Sequence, residues 1–344
     1  MKLCIIRSSS TLISSEPPNV AFFAEVIYLP AAGRGCAGGL YDLTGQAINH
    51  AVSHRGNDIR LSQPIKHAVD FNSLPLVESD TPYFFIGEGH IHFGHFLLET
   101  MPRLWALLNG QYNAAGGTKY LYCGQRPPVE LFKKSFIKDI FGCFPLAAND
   151  FINYREPCRL KNVFVAAPAF EICMYGHPLF RQTMQRIGST LADNLQDISN
   201  TNLTPLYLSK SKLTIGVQRI TNETDIEDAL RRKGVDIWHP ETADLATQIK
   251  ELSSRRYIMG TIGSAMHTLL FCSGNKVISG LANSGRLQSS YLIIDELCGN
   301  IARYESGSDL GITLSEQPEE GFLTAFHAAD PDRVAEILLG NLSL

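Results

Sequence analysis

The chain has 344 residues, 44% of them hydrophobic and 19% charged, with a net charge of −4 and a pI near 6.2. That composition excludes long disorder, and without a basic excess there is no stripe of cations to track a nucleic-acid backbone. The length suits two domains with a cleft between them.

The opening MKLCIIRSSSTLISS has one lysine and too short an apolar run for a signal peptide, and no stretch approaches about 20 uninterrupted apolar residues. These features predict a cytoplasmic protein, at most peripheral at the inner face of a membrane. Eight cysteines, at 4, 36, 123, 143, 158, 173, 272 and 298, include no C-x-x-C and no close pairing. They read as buried thiols in a reducing compartment, not as zinc ligands or a disulfide framework.

The first half predicts a β-rich part. NVAFFAEVIYL (19–29) is a strand by its β-branched and aromatic content, and GGLYDLTGQAINHAV (38–52) is a hairpin turning at Thr44-Gly45. PYFFIGEG (82–89) is another strand. From His92 the apolar positions Phe96, Leu97, Met101, Leu104 and Leu108 take helical spacing, with Pro102 predicting a kink or break. TKYLYCG (118–124) and NVFVAAP (162–168) are strand candidates on either side of a helical PVELFKKSFIKDIFG. An amphipathic helix starts near residue 178, and the polar SNTNLTP after it predicts a domain connection.

The second half alternates regularly. LYLS (206–209) is a strand and NETDIEDALRRKG (222–234) a helix with capping residues, a basic last turn and a closing glycine. VDIWH, TADLATQIKELSSRR, RYIMG, GSAMHTLLFCSG and KVISG continue the alternation, which predicts a parallel sheet covered on both faces. PDRVAEILLGNL is a final helix in a tail. The predicted organisation is an N-terminal domain over 1–200, a second domain over 201–310 and a helical tail over 311–344. No internal repeat is visible.

Two segments carry candidate chemistry. In HIHFGHFLLETMPRLW, His95 and Glu99 stand i, i+4, so on a helix a carboxylate can orient the imidazole or act beside it. Glu99 among Phe96, Leu98 and Trp105 is predicted to titrate above its solution value and serve as a general base, unless the pair only braces the helix. Arg103 can pair with Glu99 across one turn. A metal held by His90, His92, His95 and Glu99 is not favoured: the spacing is not H-E-x-x-H and Gly94 blurs the geometry.

In TIGSAMHTLLF (261–271), Gly263 allows a tight turn after a parallel strand and Ser264 can cap a helix. The exposed N–H groups suit a phosphate, and His267 falls one turn in. The alternative is a Ser-capped core helix with one buried histidine. Lys210 and Lys212 of YLSKSK, with Arg219, form a basic group that is either an anion site or solvated surface charge.

Three blocks together resemble glycosyltransferase family 61, formerly described as a domain of unknown function in capsular polysaccharide loci. HFGHFLLETMPRLW (92–105) is similar to that family's N/H-x-x-H-F/W-L-x-E/D-x-L-P-R-L block. YLSK with RITNETDIEDALRRKGVDIWHPE (207–241) resembles its Y-x-S-R … R-x-x-x-N-E block, and GTIGSAMHTLLFCSGNKVI (260–278) its G-x-x-G-S/A-x-L/M-x-N/H-L-L-F block. Weaker agreement runs through YDLTGQAI (41–48).

The resemblance implies an α/β, GT-B-like fold of two Rossmann-like domains with a cleft between them. It implies a nucleotide-sugar donor on the C-terminal domain, no required metal or other cofactor, and inversion at the anomeric carbon. The partners it implies are that donor and a glycan or lipid-linked glycan acceptor. Carried over by position, Gly263, Ser264 and His267 would face the donor pyrophosphate, Lys210 and Arg219 would neutralise it, and His95 and Glu99 would meet the acceptor. Three departures stand out: Lys210 where the family usually has arginine, His92 where asparagine is common, and no clear match after 285. A ketal pyruvyltransferase-like enzyme using phosphoenolpyruvate, and a noncatalytic sugar-binding or assembly protein, are the rival expectations.

Overall fold

The computed structural model describes residues 4–6, 13–31, 38–65, 70–108, 110, 112, 116–316 and 320–343. Cys36 and much of the opening stretch read against a signal peptide lie outside them. The chain forms two compact units, Ser8–Ile187 and Met1–Arg7 together with Gly188–Leu344. The first strand, β1 (Cys4–Ile6), belongs to the second of these.

In the N-terminal unit, β2 (Val20–Leu29), β3 (Gly39–Tyr41), β6 (Tyr83–Glu88), β7 (Lys119–Cys123), β8 (Phe151–Ile152) and β9 (Cys158–Ala166) form a sheet of order β3-β2-β9-β6-β7-β8. Strands β9, β6, β7 and β8 run parallel, while β2 is antiparallel to both β9 and β3. Two small ribbons stand apart: β4 (Ser53–Arg55) with β5 (Asp58–Leu61), and β10 (Phe170–Glu171) with β11 (Tyr175–Gly176). Side chains alternate across the sheet. Tyr83 and Phe85 enter a core with Leu121, Val163 and Val165, while Phe84 turns the other way to meet the Tyr112 ring at 4.8 Å.

The helical stretch after β6 is broken, as Pro102 predicts. It runs from α1 (Phe93–His95) through a π-helical turn (Phe96–Thr100) and a 3-10 turn (Met101–Arg103) to α2 (Trp105–Leu108). Pro102 has no N–H to give and its ring crowds the carbonyl four residues back; the wider turn, with Met101 N–H bonded to Phe96 O, accommodates it. The Trp105 ring is fully buried and its indole N–H donates to Ala167 O at 2.9 Å, so this large apolar body is covered without a stranded donor. PVELFKKSFIKDIFG folds as two short helices, α3 (Pro128–Leu131) and α4 (Ser135–Gly142).

The passage between units falls within α5 (Pro178–Leu191), not at SNTNLTP. That stretch is tied down inside the C-terminal unit. Asn200 and Asn202 N–H donate to Ser253 O and Ser254 O, and Lys276 Nζ donates to Asn200 Oδ1 at 2.7 Å. Its polar composition serves these bonds.

The C-terminal unit carries the expected alternation. Strands β12 (Leu206–Leu208), β14 (Asp236–Trp238), β15 (Tyr257–Thr261), β16 (Val277–Ala282) and β18 (Ile301–Ser306) form an all-parallel sheet of order β14-β12-β15-β16-β18. The short β17 (Arg286–Gln288) pairs with β1. A second sheet, β13-β20-β19, comprises β13 (Gly216–Ile220), β19 (Ile312–Leu314) and β20 (Phe322–Ala328).

Helix α6 (Glu223–Arg232) and α9 (Pro331–Gly340) contribute Ile226, Leu230, Val334 and Leu338 to a core with Tyr207 and Met259. On the other face, α7 (Leu245–Ser254) and α8 (Ser289–Cys298) contribute Leu252 and Tyr291 to a core with Leu206, Leu208 and Ile258. Adjacent strand residues thus feed opposite layers, as a doubly covered parallel sheet requires. The fold is mixed α/β.

Two expectations need correction. Residues 311–344 are not a helical tail, because β19 and β20 precede α9 and bury Ile312, Phe326 and Ala328 in the core shared with α6 and α9. SAMHTLL (264–270) is a 3-10 segment, not an α-helix. At about 2.0 Å rise per residue, seven residues cover more of the return between two parallel strands than an α-helix would.

Among the described residues no helix is long and apolar enough to cross a membrane, and cysteines 123, 143, 158, 173, 272 and 298 are free thiols.

Candidate functional site

The N-terminal unit gathers charge around one carboxylate. Glu99 lies in the π turn with its side chain 5% exposed. Arg55, the last residue of β4, forks onto it: Nη2 donates at 2.7 Å to Oε1 and 2.9 Å to Oε2, and Nε donates to Oε1 at 3.2 Å. His95 Nδ1 stands 2.5 Å from Glu99 Oε2. His90 Nε2 is 3.4 Å from the same oxygen and 3.2 Å from Glu88 Oε2.

Burial alone would raise the Glu99 carboxyl. The His95 hydrogen bond and the charges of His90 and Arg55 overcome it and hold Glu99 at about 2. The expected upward shift is overturned by these three partners. An ionised carboxylate only accepts, so the 2.5 Å contact calls for the proton on His95 Nδ1, although Arg55 Nη2, also a donor, lies 3.1 Å from the same nitrogen. The His95 side chain is 39% exposed, and its Nε2 makes no hydrogen bond among the described residues. His92, whose ring lies 5.2 Å from that of His95, is pushed down by burial and by the neighbouring histidines.

Arg103 does not pair with Glu99. Its guanidinium is fully buried, donating from Nη2 to His50 O at 3.0 Å and Val52 O at 2.9 Å and from Nη1 to Ser53 Oγ at 3.2 Å, and lying 5.8 Å from the Phe85 ring centroid. It therefore pins the segment that leads into β4 and Arg55. Gly87, at φ +96°, makes room: a Cβ there would lie 2.9 Å from Arg103 Nη1. Sequence reasoning missed Arg55, which sits 44 residues from Glu99 in a stretch with no motif; the nearest signal was the need of a buried Glu for a cation.

In the C-terminal unit, Lys210 follows β12 and Gly263 follows β15, at the carboxyl ends of parallel strands. Lys210 Nζ donates to Ile262 O at 2.6 Å, and a Cβ on Gly263 would lie 2.7 Å from that nitrogen. Burial lowers the Lys210 amine to about 8, against the raising influence of Glu223. Glu223 Oε1 accepts from Tyr207 OH at 2.9 Å and from Lys210 N–H at 3.2 Å, and Glu227 Oε1 accepts from Ser209 and Ser211 at 2.6 and 2.5 Å. These bonds fix the turn that carries Lys210.

Arg219 on β13 reaches the same turn, with Nη2 3.5 Å from Ser211 O and its guanidinium 5.4 Å from the Phe322 ring centroid. Ser264 is half-buried and makes no capping bond through its side chain; His267 is buried with its ring 5.3 Å from that of Tyr291. The short 3-10 segment weakens the helix-terminus argument for an anion, and Lys210 with Arg219 carries more of it. Among the described residues no group of three or more His, Cys, Asp or Glu side chains is placed to hold a metal ion.

The Glycosyltransferase 61 family model matches residues 93–279, more than half of the chain. The chain belongs to the glycosyltransferase 61 family. It is thereby a glycosyltransferase, an enzyme with a sugar donor and a glycan acceptor. The matched span of this glycosyltransferase includes His95, Glu99, Lys210, Arg219, Gly263, Ser264 and His267, whereas Arg55 lies outside it. No curated protein matches the chain.

Proposed function

We propose that this enzyme is an inverting glycosyltransferase of polysaccharide (capsule or exopolysaccharide) assembly, moving a sugar from a nucleotide-sugar donor to a glycan acceptor. The observation that carries the reading is the His95 imidazole, held at Nδ1 by an ionised Glu99 with Nε2 unengaged. In this account His95 Nε2 takes the proton of the acceptor hydroxyl while the oxygen attacks the anomeric carbon. The bond to the donor diphosphate breaks with its electron pair, and Lys210 and Arg219 stabilise the charge that departs. A single displacement of this kind inverts the anomeric centre.

Glu99 acts through His95. It fixes the tautomer and stabilises the imidazolium that forms, and Arg55 keeps the carboxylate ionised and oriented. The division of labour follows the GT-B-like organisation that the sequence suggests, with the donor on the C-terminal unit and the acceptor on the N-terminal one. Gly263, Ser264 and His267 are assigned to the donor side on the same basis.

The test is a melting-temperature series with UDP-, GDP-, CMP- and dTDP-sugars and with phosphoenolpyruvate. A ligand at about 100 times its Kd adds about 2.7 kcal/mol to a site it occupies. A shift with one nucleotide class, reduced in Arg219→Ala, supports the reading and names the donor group. A shift with phosphoenolpyruvate alone points to pyruvyl transfer, and no shift with any ligand points to a noncatalytic sugar-binding role.

A further inference from the structure

A second polar site lies in the N-terminal unit, where His54 of β4 meets Glu171 of β10. An open cleft of about 340 Å³ is walled by Asn49, His50, His54, Pro168, Glu171 and Tyr175, among others. Its volume falls within the range of small-molecule sites. Glu171 on β10 is 7% exposed, and its two oxygens lie 3.2 and 3.0 Å from His54 Nδ1. A carboxylate has about four acceptor positions, so one imidazole leaves capacity for ligand hydroxyls. Tyr175, half-buried, donates its hydroxyl to Pro168 O at 2.8 Å, which fixes its ring in the wall. Asn49 adds an exposed amide and His50 a ring held by Asn19 Oδ1 at 2.9 Å. None of the lining residues is Lys or Arg.

An aromatic face joined to a carboxylate and an exposed amide suits a polyhydroxylated ring. Arg103 acts on Glu171 electrostatically but spends its donors on His50 O, Val52 O and Ser53, so a ligand carboxylate would find no ammonium or guanidinium to bond in the wall. The cleft also shares an element with the proposed base: within β4, His54 bonds Glu171 and the next residue, Arg55, bonds Glu99. Arg103, through its bonds to His50 O and Val52 O, braces the strand that serves both.

We infer that this cleft is a subsite for a neutral pyranose unit of the acceptor glycan, removed from the hydroxyl that reacts. The inference rests on the glycosyl-transfer reading above and names the class of acceptor it takes. Binding that is equal in the ground and transition states appears in the KM of an extended acceptor.

The test uses the full chain and saturation-transfer NMR with the methyl glycosides of glucose, galactose, mannose, xylose and N-acetylglucosamine, and with glucuronic acid. At least one neutral glycoside binds the wild type, and Tyr175→Ala and Asn49→Trp each weaken it by tenfold or more while the melting temperature is kept. His95→Ala leaves it unchanged, and glucuronate binds at least tenfold more weakly. Absence of binding by every neutral glycoside, binding indifferent to both cleft variants, or glucuronate binding equally well overturns the subsite. The readout needs no turnover, so it is separate from the donor series: a failed donor series with the glycoside result intact removes only the transfer reading.

Discussion

His95 Nδ1 stands 2.5 Å from a Glu99 carboxylate that Arg55 already grips with three donor contacts, the shortest 2.7 Å. In the proposed mechanism the two residues, which the sequence presents as equivalent candidates, take opposite tasks. A carboxylate held at about 2 has little affinity for an acceptor proton at neutral pH, whereas an imidazole with one nitrogen tied to that anion keeps the other for proton transfer.

The same shift makes Glu99 a pH-dependent source of stability. Its folded value lies below the ordinary 4.5, so its contribution is full above about pH 4.5 and is lost as the pH falls from there toward 2. Glu99→Gln is expected to lower unfolding free energy at pH 7 by a few kcal/mol, on the order of what such a shift represents. Urea unfolding of both proteins at pH 7 and pH 3 checks this: the gap narrows at pH 3.

Arg103 is expected to matter without touching substrate. Arg103→Met leaves the carbonyls of His50 and Val52 without their buried donors and should cost roughly 3 kcal/mol, within the range for unmet buried polar groups. Gly87→Ala acts on the same guanidinium from the other side, by a clash at a positive φ. Denaturant midpoints should fall for both variants, and hydrogen exchange should rise at the amides of Ser53–Arg55.

If Lys210 binds the donor as proposed, donor affinity carries its own pH signature. With its amine lowered to about 8 it is charged below that value and neutral above it, so donor affinity should fall as the pH rises through 8 and beyond. A bound diphosphate favours the charged form and moves the loss upward. Donor Kd measured at pH 7 and pH 9.5 should weaken by roughly tenfold, about 1.4 kcal/mol. In Lys210→Arg, which stays charged throughout, it should stay nearly flat.

The parts of this molecule legible in its sequence are those whose physics is local. NETDIEDALRRKG shows its helix through its own caps and spacing, and LYLS, RYIMG and KVISG show buried strands through short apolar runs between turns. The i, i+4 spacing of His95 and Glu99 brought them together even though Pro102 turned the helix into a π turn. Illegible were the relationships made by long-range packing. Arg55 is drawn to Glu99 from a short hairpin strand with no motif, and β20, whose apolar residues do not alternate cleanly, passed for part of a tail. The direction of the Glu99 shift failed for a related reason: desolvation can be guessed from apolar neighbours in sequence, but the joint pull of His95, His90 and Arg55 that outweighs it depends on contacts made only on folding.

The most direct measurement is single-turnover transfer, with the donor found in the melting series, by wild type, His95→Ala and Glu99→Gln, each at saturating donor. If His95 is the base, His95→Ala falls by about 10²–10⁴-fold, the range of a lost general base. Glu99→Gln retains measurable transfer, and both keep the donor-induced shift in melting temperature. Near-normal transfer by His95→Ala, with Glu99→Gln inactive, would contradict the account and return the base role to the carboxylate.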